Sequence, residues 1–134
     1  MVLGPIVGMG GKAYGGAIGV DPVSQDRIVI PATKTKNYYV IVADDPNLIF
    51  AVREGASGTP FAAADVGLNC SLVAGTNNGY ISTWVLDNTT EATTAALQMK
   101  LLGLRQTPDN AFGLNAVWLC LINQHCFKAV VAGV

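Results

Sequence analysis

The chain has 134 residues, of which 51% are hydrophobic and only 13% are charged, and its formal net charge is −1. This length suits one domain with a hydrophobic core of its own, and the apolar fraction excludes a disordered chain. Because affinity for phosphate depends on an excess of Lys and Arg, the balanced charge argues against a nucleic-acid partner.

The mean hydropathy of +0.40 raises the question of a membrane protein. The longest apolar stretches, such as residues 116–122, are far shorter than the ~20 residues that a spanning helix needs. No positive residue precedes the apolar start of the chain, so a secretory signal is not expected either. We therefore expect no membrane partner, and a weakly charged surface that invites association with other proteins.

Glycine dominates the beginning of the chain, with seven of the 15 glycines in residues 1–20. Glycine loses the most backbone entropy on ordering and so resists regular structure. We predict a Gly-rich N-terminal arm or irregular segment over residues 1–26, followed by a β-domain over residues 27–134.

Short runs of β-branched and aromatic residues then alternate with turn-forming residues, which is typical of strands joined by tight connections. The predicted strands are residues 28–30, 38–42, 48–54, 68–72, 80–86, 97–104 and 117–122. Turns are predicted at residues 44–47, 75–79, 87–90 and 106–110, and one helical turn at 61–65. This spacing, without a long helical period, predicts an all-β fold: a small antiparallel β-sandwich or barrel.

Residues that could carry chemistry are few. Residues 8–13 match a loose dinucleotide-binding pattern, but no strand precedes it and no helix follows it, so no cofactor is expected. His125 is the single histidine, and its neighbour Cys126 would point to the opposite face of a strand. Cys70, Cys120, Cys126 and His125 could formally bind zinc, but no C-x₂-C spacing supports a metal site. We therefore predict no catalytic, cofactor-binding or metal-binding residues and no enzymatic activity.

The odd number of cysteines, Cys70, Cys120 and Cys126, indicates reduced thiols in a reducing compartment. Trp84 and Trp118 could form stacking platforms for sugars, although each lies in a strand pattern that also explains it as core or interface. A carbohydrate-binding β-module on a virion or cell surface is therefore the alternative function, and a small cysteine-dependent enzyme is a second one.

Seven segments in the same order resemble a family of tailed-bacteriophage capsid decoration, or cement, proteins. They are residues 42–50 (VADDPNLIF), 64–69 (ADVGLN), 72–76 (LVAGT), 84–90 (WVLDNTT), 101–104 (LLGL), 108–113 (PDNAFG) and 122–125 (INQH). The resemblance implies an all-β structural virion protein on the outer surface of the head, made in the host bacterial cytoplasm. It also implies the major capsid protein as a partner and self-association, for which we favour a trimer because closed threefold symmetry matches an icosahedral shell.

The N-terminal arm is the segment we expect to contact the capsid or another subunit. Its apolar side chains are too numerous for a solvated tail, and an extended segment can add to the edge of a foreign sheet. The candidate contact residues are Leu3, Ile6, Val7, Tyr14 and Ile18. The alternative is that this segment forms an edge strand and loop of the same domain.

Overall fold

A computed structural model describes residues 6–10, 12–14, 17–19, 39–75 and 83–134 of the chain. Strands and one short 3₁₀ helix, Ala63–Asp65, are joined by turns and loops. The strands are β1 (Ile6–Gly10), β2 (Lys12–Tyr14), β3 (Ala17–Gly19), β4 (Tyr39–Val42), β5 (Ile49–Arg53), β6 (Asn69–Ala74), β7 (Trp84–Ala92), β8 (Met99–Leu104) and β9 (Val117–Ile122). The predicted all-β class is confirmed.

The main sheet has five antiparallel strands in the order β5-β9-β8-β6-β7. Its two edge strands approach each other at one end, where Glu54 forms a single parallel bridge with Leu86. The five strands therefore form one open sheet, which is neither the predicted barrel nor a two-sheet sandwich. One bridge is too little to close the sheet, because a barrel needs a continuous ladder between its first and last strands.

The core lies on one face of this sheet, where side chains alternate inward along each strand. Trp118, Cys120 and Ile122 of β9 are buried, while the residues between them are half-buried. Met99 and Leu101 of the neighbouring β8 face the same way. The loops before β6 and before β9 cover this face with Phe61, Ala116 and the Phe112 ring, which packs on Trp118.

A large bulge in β7 explains why this strand is longer than the sequence pattern predicts. Asn69 pairs with Ala92 but Ser71 pairs with Asp87, so β7 carries extra residues opposite β6. Thr90 closes the bulge, because its hydroxyl accepts a hydrogen bond from Ser71 N and donates one to Asp87 O. Bulges redirect side chains, and within this one Asn88 is buried. The predicted turn at residues 87–90 is thus a bulge inside a strand.

Three short strands occur within the segment predicted as an arm or irregular structure. β1 pairs with β4, and β2 pairs with β3, both antiparallel. Glycine disfavours regular structure, so the sequence favours an arm here and offers an edge strand only as the alternative; nothing in the local pattern points to the partner strand at residues 39–42.

Most other predicted elements occur close to their expected positions. β9 has the predicted bounds, and β4, β5, β6 and β8 fall within one or two residues of theirs. The predicted turn at residues 44–47 is confirmed, with Asn47 N and Leu48 N both bonded to Asp45. The predicted strand at residues 28–30 lies outside the described residues.

The sheet's two faces predict unequal costs for truncating leucines. Leu101 is fully buried, so Leu101→Ala should lower the free energy of unfolding by about 2–5 kcal/mol. The matched control, Leu121→Ala on the outer face, removes a half-buried side chain and should cost clearly less. Urea unfolding followed by tryptophan fluorescence measures both, and equal costs would contradict the assignment of the core face.

Candidate interaction surface and buried polar cluster

The candidate contact residues from the sequence lie on three strands. Ile6 and Val7 belong to β1, Tyr14 to β2 and Ile18 to β3, whereas Leu3 lies outside the described residues. Ile6 is opposite Val42, and Tyr14 and Ile18 belong to the same two-stranded ribbon. Their assignment as contacts remains a prediction.

Large apolar side chains are exposed at positions from residue 48 to the end of the chain. The members of this exposed apolar set are Leu48, Ile49, Val66, Val73, Trp84, Phe112, Leu114, Phe127, Val130, Val131 and Val134. Scattered apolar residues are normal on a protein surface. Here, however, the set includes an exposed tryptophan and two exposed phenylalanines in a chain with few charges. Such a surface is suited to contact with other proteins.

The last segment of the chain, residues 128–134, is called the strap. Its backbone is bonded to the body: Val131 N donates to Asn123 Oδ1, and Val131 O accepts from Asn69 Nδ2 at 2.9 Å. Further along, Gly133 N donates to Thr93 O. The side chains of Val130, Val131 and Val134 nevertheless remain exposed, the last to 87%. The strap is therefore anchored by its main chain and displays its apolar side chains.

Glu54 is the charged residue whose position differs most from its sequence interpretation. A charged pair at the end of an apolar strand run predicts solvated side chains; Arg53 is exposed, but Glu54 is fully buried. Its Oε1 accepts hydrogen bonds from Phe61 N and Asn88 Nδ2, both at 3.0 Å, and its Oε2 accepts one from Trp118 Nε1 at 3.1 Å. Burying a carboxyl is costly unless hydrogen bonds replace its water, and three donors meet that need.

Asn88 extends this cluster into the loop after β5. Its side-chain amide donates to Glu54 and to Gly55 O, while its Oδ1 accepts from Gly58 N at 2.8 Å. Gly58 approaches so closely that an added Cβ would overlap Asn88 O. Asn88 begins the Asn-x-Thr sequon, but its amide is committed to these bonds and buried, so the folded chain does not offer it for glycosylation.

The three cysteines are free thiols, and two of them are buried in the core. Burial raises the pKa of the Cys70 thiol to about 12, with a further contribution from Asp87, Glu91 and Glu54. Burial also raises the pKa of Cys120, and Cys70 adds to that increase. A thiol held in its protonated form is a poor nucleophile, so neither residue is activated for catalysis.

His125 is buried as well, and its Nδ1 accepts a hydrogen bond from Phe127 N at 3.1 Å. This contact forms the turn that leads into the strap. In the part of the chain that the structure describes, no three His, Cys, Asp or Glu side chains are grouped to hold a metal ion. That part also contains no helix long and apolar enough to cross a membrane.

The two tryptophans have opposite environments. Trp118 is fully buried, packs edge-on against Phe61 at a centroid distance of 5.6 Å and donates to Glu54. It therefore cannot act as a sugar-stacking platform. Trp84, at the start of β7, is 58% exposed.

Comparison with protein-family models, curated proteins and solved structures finds no match to this chain.

The buried cluster predicts a specific coupling between Glu54 and Trp118. Glu54→Gln places an amide NH₂ against one of three donors, which should cost about 1–3 kcal/mol of the free energy of unfolding. In the Trp118→Phe background the indole donor is absent. The glutamine NH₂ can then occupy the position of Oε2 without facing another donor. Glu54→Gln should therefore cost less in the Trp118→Phe background, as measured by urea unfolding of all four chains.

Arg53→Gln is the matched control, because it neutralises the exposed neighbour and should change stability by less than about 0.5 kcal/mol. An equal cost of Glu54→Gln in both backgrounds would show that the carboxyl does not bond to the indole.

The thiols should also differ in reactivity. At pH 8 a thiol of pKa about 12 is ionised to only about one part in 10⁴, so Cys70 should resist iodoacetamide. Cys120 should resist it for the same reason, whereas the half-buried Cys126 should react first. Peptide mass mapping checks the order, and unfolding in urea should make all three reactive. Rapid alkylation of Cys70 in the native protein would contradict the buried placement.

Proposed function

We propose that this chain is a structural virion protein that binds the outer surface of a phage capsid and stabilises it by bridging major capsid protein subunits. The observation that carries the proposal is the exposed apolar set, whose members lie on the strands, loops and strap around a buried core. The groups best suited to catalysis are used internally: Glu54 and His125 accept hydrogen bonds, and the buried thiols are held protonated. The ordered resemblance of seven segments supports the same function.

The chemistry of the surface suits a repeating partner. Each exposed apolar side chain can bury only a modest area, so a single contact is weak. A capsid presents the same site many times, and linked contacts add to a high avidity. We propose that the N-terminal arm supplies the anchor and that the protein self-associates, with a trimer favoured on local threefold positions.

The second candidate is a carbohydrate-binding module, and the exposure of Trp84 favours it. An aromatic ring with a free face can stack on a sugar. Since Trp118 is buried, this function would depend on Trp84 alone. A glycan array with the native protein and with Trp84→Ala tests it, and specific binding that disappears in the variant would support this candidate.

The capsid proposal is tested with expanded empty heads assembled from the major capsid protein encoded by a neighbouring reading frame. The purified protein should co-sediment with these heads at a saturable ratio. Decorated heads should also disassemble at a higher temperature, because a ligand that binds only the assembled state stabilises it. Failure to bind these heads at any protein concentration would overturn the proposal.

The arm is tested by replacing Val7, Tyr14 and Ile18 together with serine. If the arm is the anchor, this variant should remain folded by circular dichroism but lose co-sedimentation. The matched control replaces the exposed Thr107 and Asp109, which lie outside the exposed apolar set, with serine and should bind as the native chain does. Full binding by the arm variant would place the anchor elsewhere.

A further inference from the structure

The body of the protein holds the strap in a groove built for an extended peptide backbone. Asn69 and Asn123 stand on either side of Val131 and bond to its C=O and N–H. Both asparagines are buried, and each also bonds to the loop after β7: Asn69 to Thr94 O, and Asn123 to Ala95 O and Leu97 O. Their amides are therefore held in place whatever segment lies between them.

Farther along the groove, three more contacts also use only the main chain of the strap. Lys100 Nζ donates to Ala132 O at 3.0 Å, Gly133 N donates to Thr93 O at 2.8 Å and Val134 N donates to Gly67 O at 3.2 Å. Glycine suits position 133, because an added Cβ would lie 3.1 Å from Ala92 O and from the Cα atoms of Leu68 and Thr93, which is tighter than ordinary van der Waals contact. These are backbone atoms that cannot move aside easily.

A groove that recognises main-chain atoms can form the same hydrogen bonds with an identical segment from another copy. From these contacts we infer that the strap exchanges between copies, so that the strap of one chain occupies the Asn69–Asn123 groove of a second. This exchange is independent of capsid binding and goes beyond it, since it specifies how two copies of the chain join.

Two further features favour exchange. Val130, Val131 and Val134 of the strap, and Phe127 just before it, stay exposed when the strap lies on its own chain, Phe127 to 69%. In an exchanged pair these side chains lie where two bodies adjoin, so their burial stabilises the pair. The connection to the body is a turn held by Phe127 N on His125 Nδ1 and Lys128 N on His125 O. A turn held by few bonds can open without disturbing the core.

The test mixes two forms of the 134-residue chain, a labelled variant and the ¹⁵N-labelled native chain, that mass spectrometry can tell apart. Val134→Cys is made with Cys126→Ser, labelled at position 134 with a benzophenone maleimide, and mixed with excess ¹⁵N-labelled native chain. Irradiation joins position 134 to the groove that the strap occupies, and mass spectrometry distinguishes heavy from light groove peptides. Exchange predicts cross-links to heavy peptides from residues 66–69 or 93–98, in an amount that rises with the share of heavy chain.

A matched pair of substitutions in the labelled chain distinguishes a strap bound in the groove from a strap that is merely close to it. Gly133→Val should abolish the heavy cross-links, whereas Ala132→Val, whose side chain points to solvent, should retain them; circular dichroism verifies that both fold. Cross-links confined to light peptides at every concentration would overturn exchange. Heavy cross-links that persist with Gly133→Val, or that map outside the groove, would overturn it too. Because no capsid is present, these outcomes are independent of the capsid proposal.

Discussion

The fold depends on the three hydrogen bonds that the buried Glu54 carboxyl accepts. Glu54 directly follows β5 and bonds to the next loop through Phe61 N, to β7 through Asn88 and to β9 through Trp118. Its own backbone N–H bonds to Ala116 O, in the loop that precedes β9. One side chain thus fixes both edges of the open sheet and the loops over its core. Removing any one partner leaves a buried polar group unpaired, and that penalty exceeds the net gain from a typical hydrogen bond.

Asparagine side chains fix other loops in the same way, by hydrogen bonds to backbone groups. Asn110 bonds to both backbone groups of Val117 and so fixes the loop before β9. Asn123 and Asn69 hold the strap and the loop after β7. An amide offers both donors and acceptors. It can therefore bond to the backbone N–H and C=O groups that a neighbouring strand would otherwise bond to, without adding charge. This explains how a chain with so few charged residues keeps long loops ordered.

Local patterns predict the strands but not these contacts. The apolar run from Val117 to Ile122 is sufficient to define β9, and the alternation around Cys70 is sufficient to define β6. Glu54, in contrast, resembles a strand-end residue, because its partner Asn88 is 34 positions away. The one available signal is Trp118, whose indole N–H needs an acceptor when the ring is buried. The bulge that turns Asn88 inward has no local signal either, because Asp87, Thr89 and Thr90 are equally typical of a turn.

The buried polar bonds and the exposed apolar side chains have a common consequence for assembly. Buried hydrogen bonds of asparagine amides and one carboxyl fix the positions of the loops around the core. The fold therefore does not depend on charged side chains at the surface. Surface positions such as Ile49, Trp84 and Phe127 are then free to be apolar. An apolar surface on a flexible support would lose much of its binding energy to the entropy of ordering. Here Trp84 and Ile49 stand on strands of one sheet, and the strap is tied to that sheet by its main chain. The surface is thus pre-organised, which is the property that the repeated weak contacts of the proposed function require.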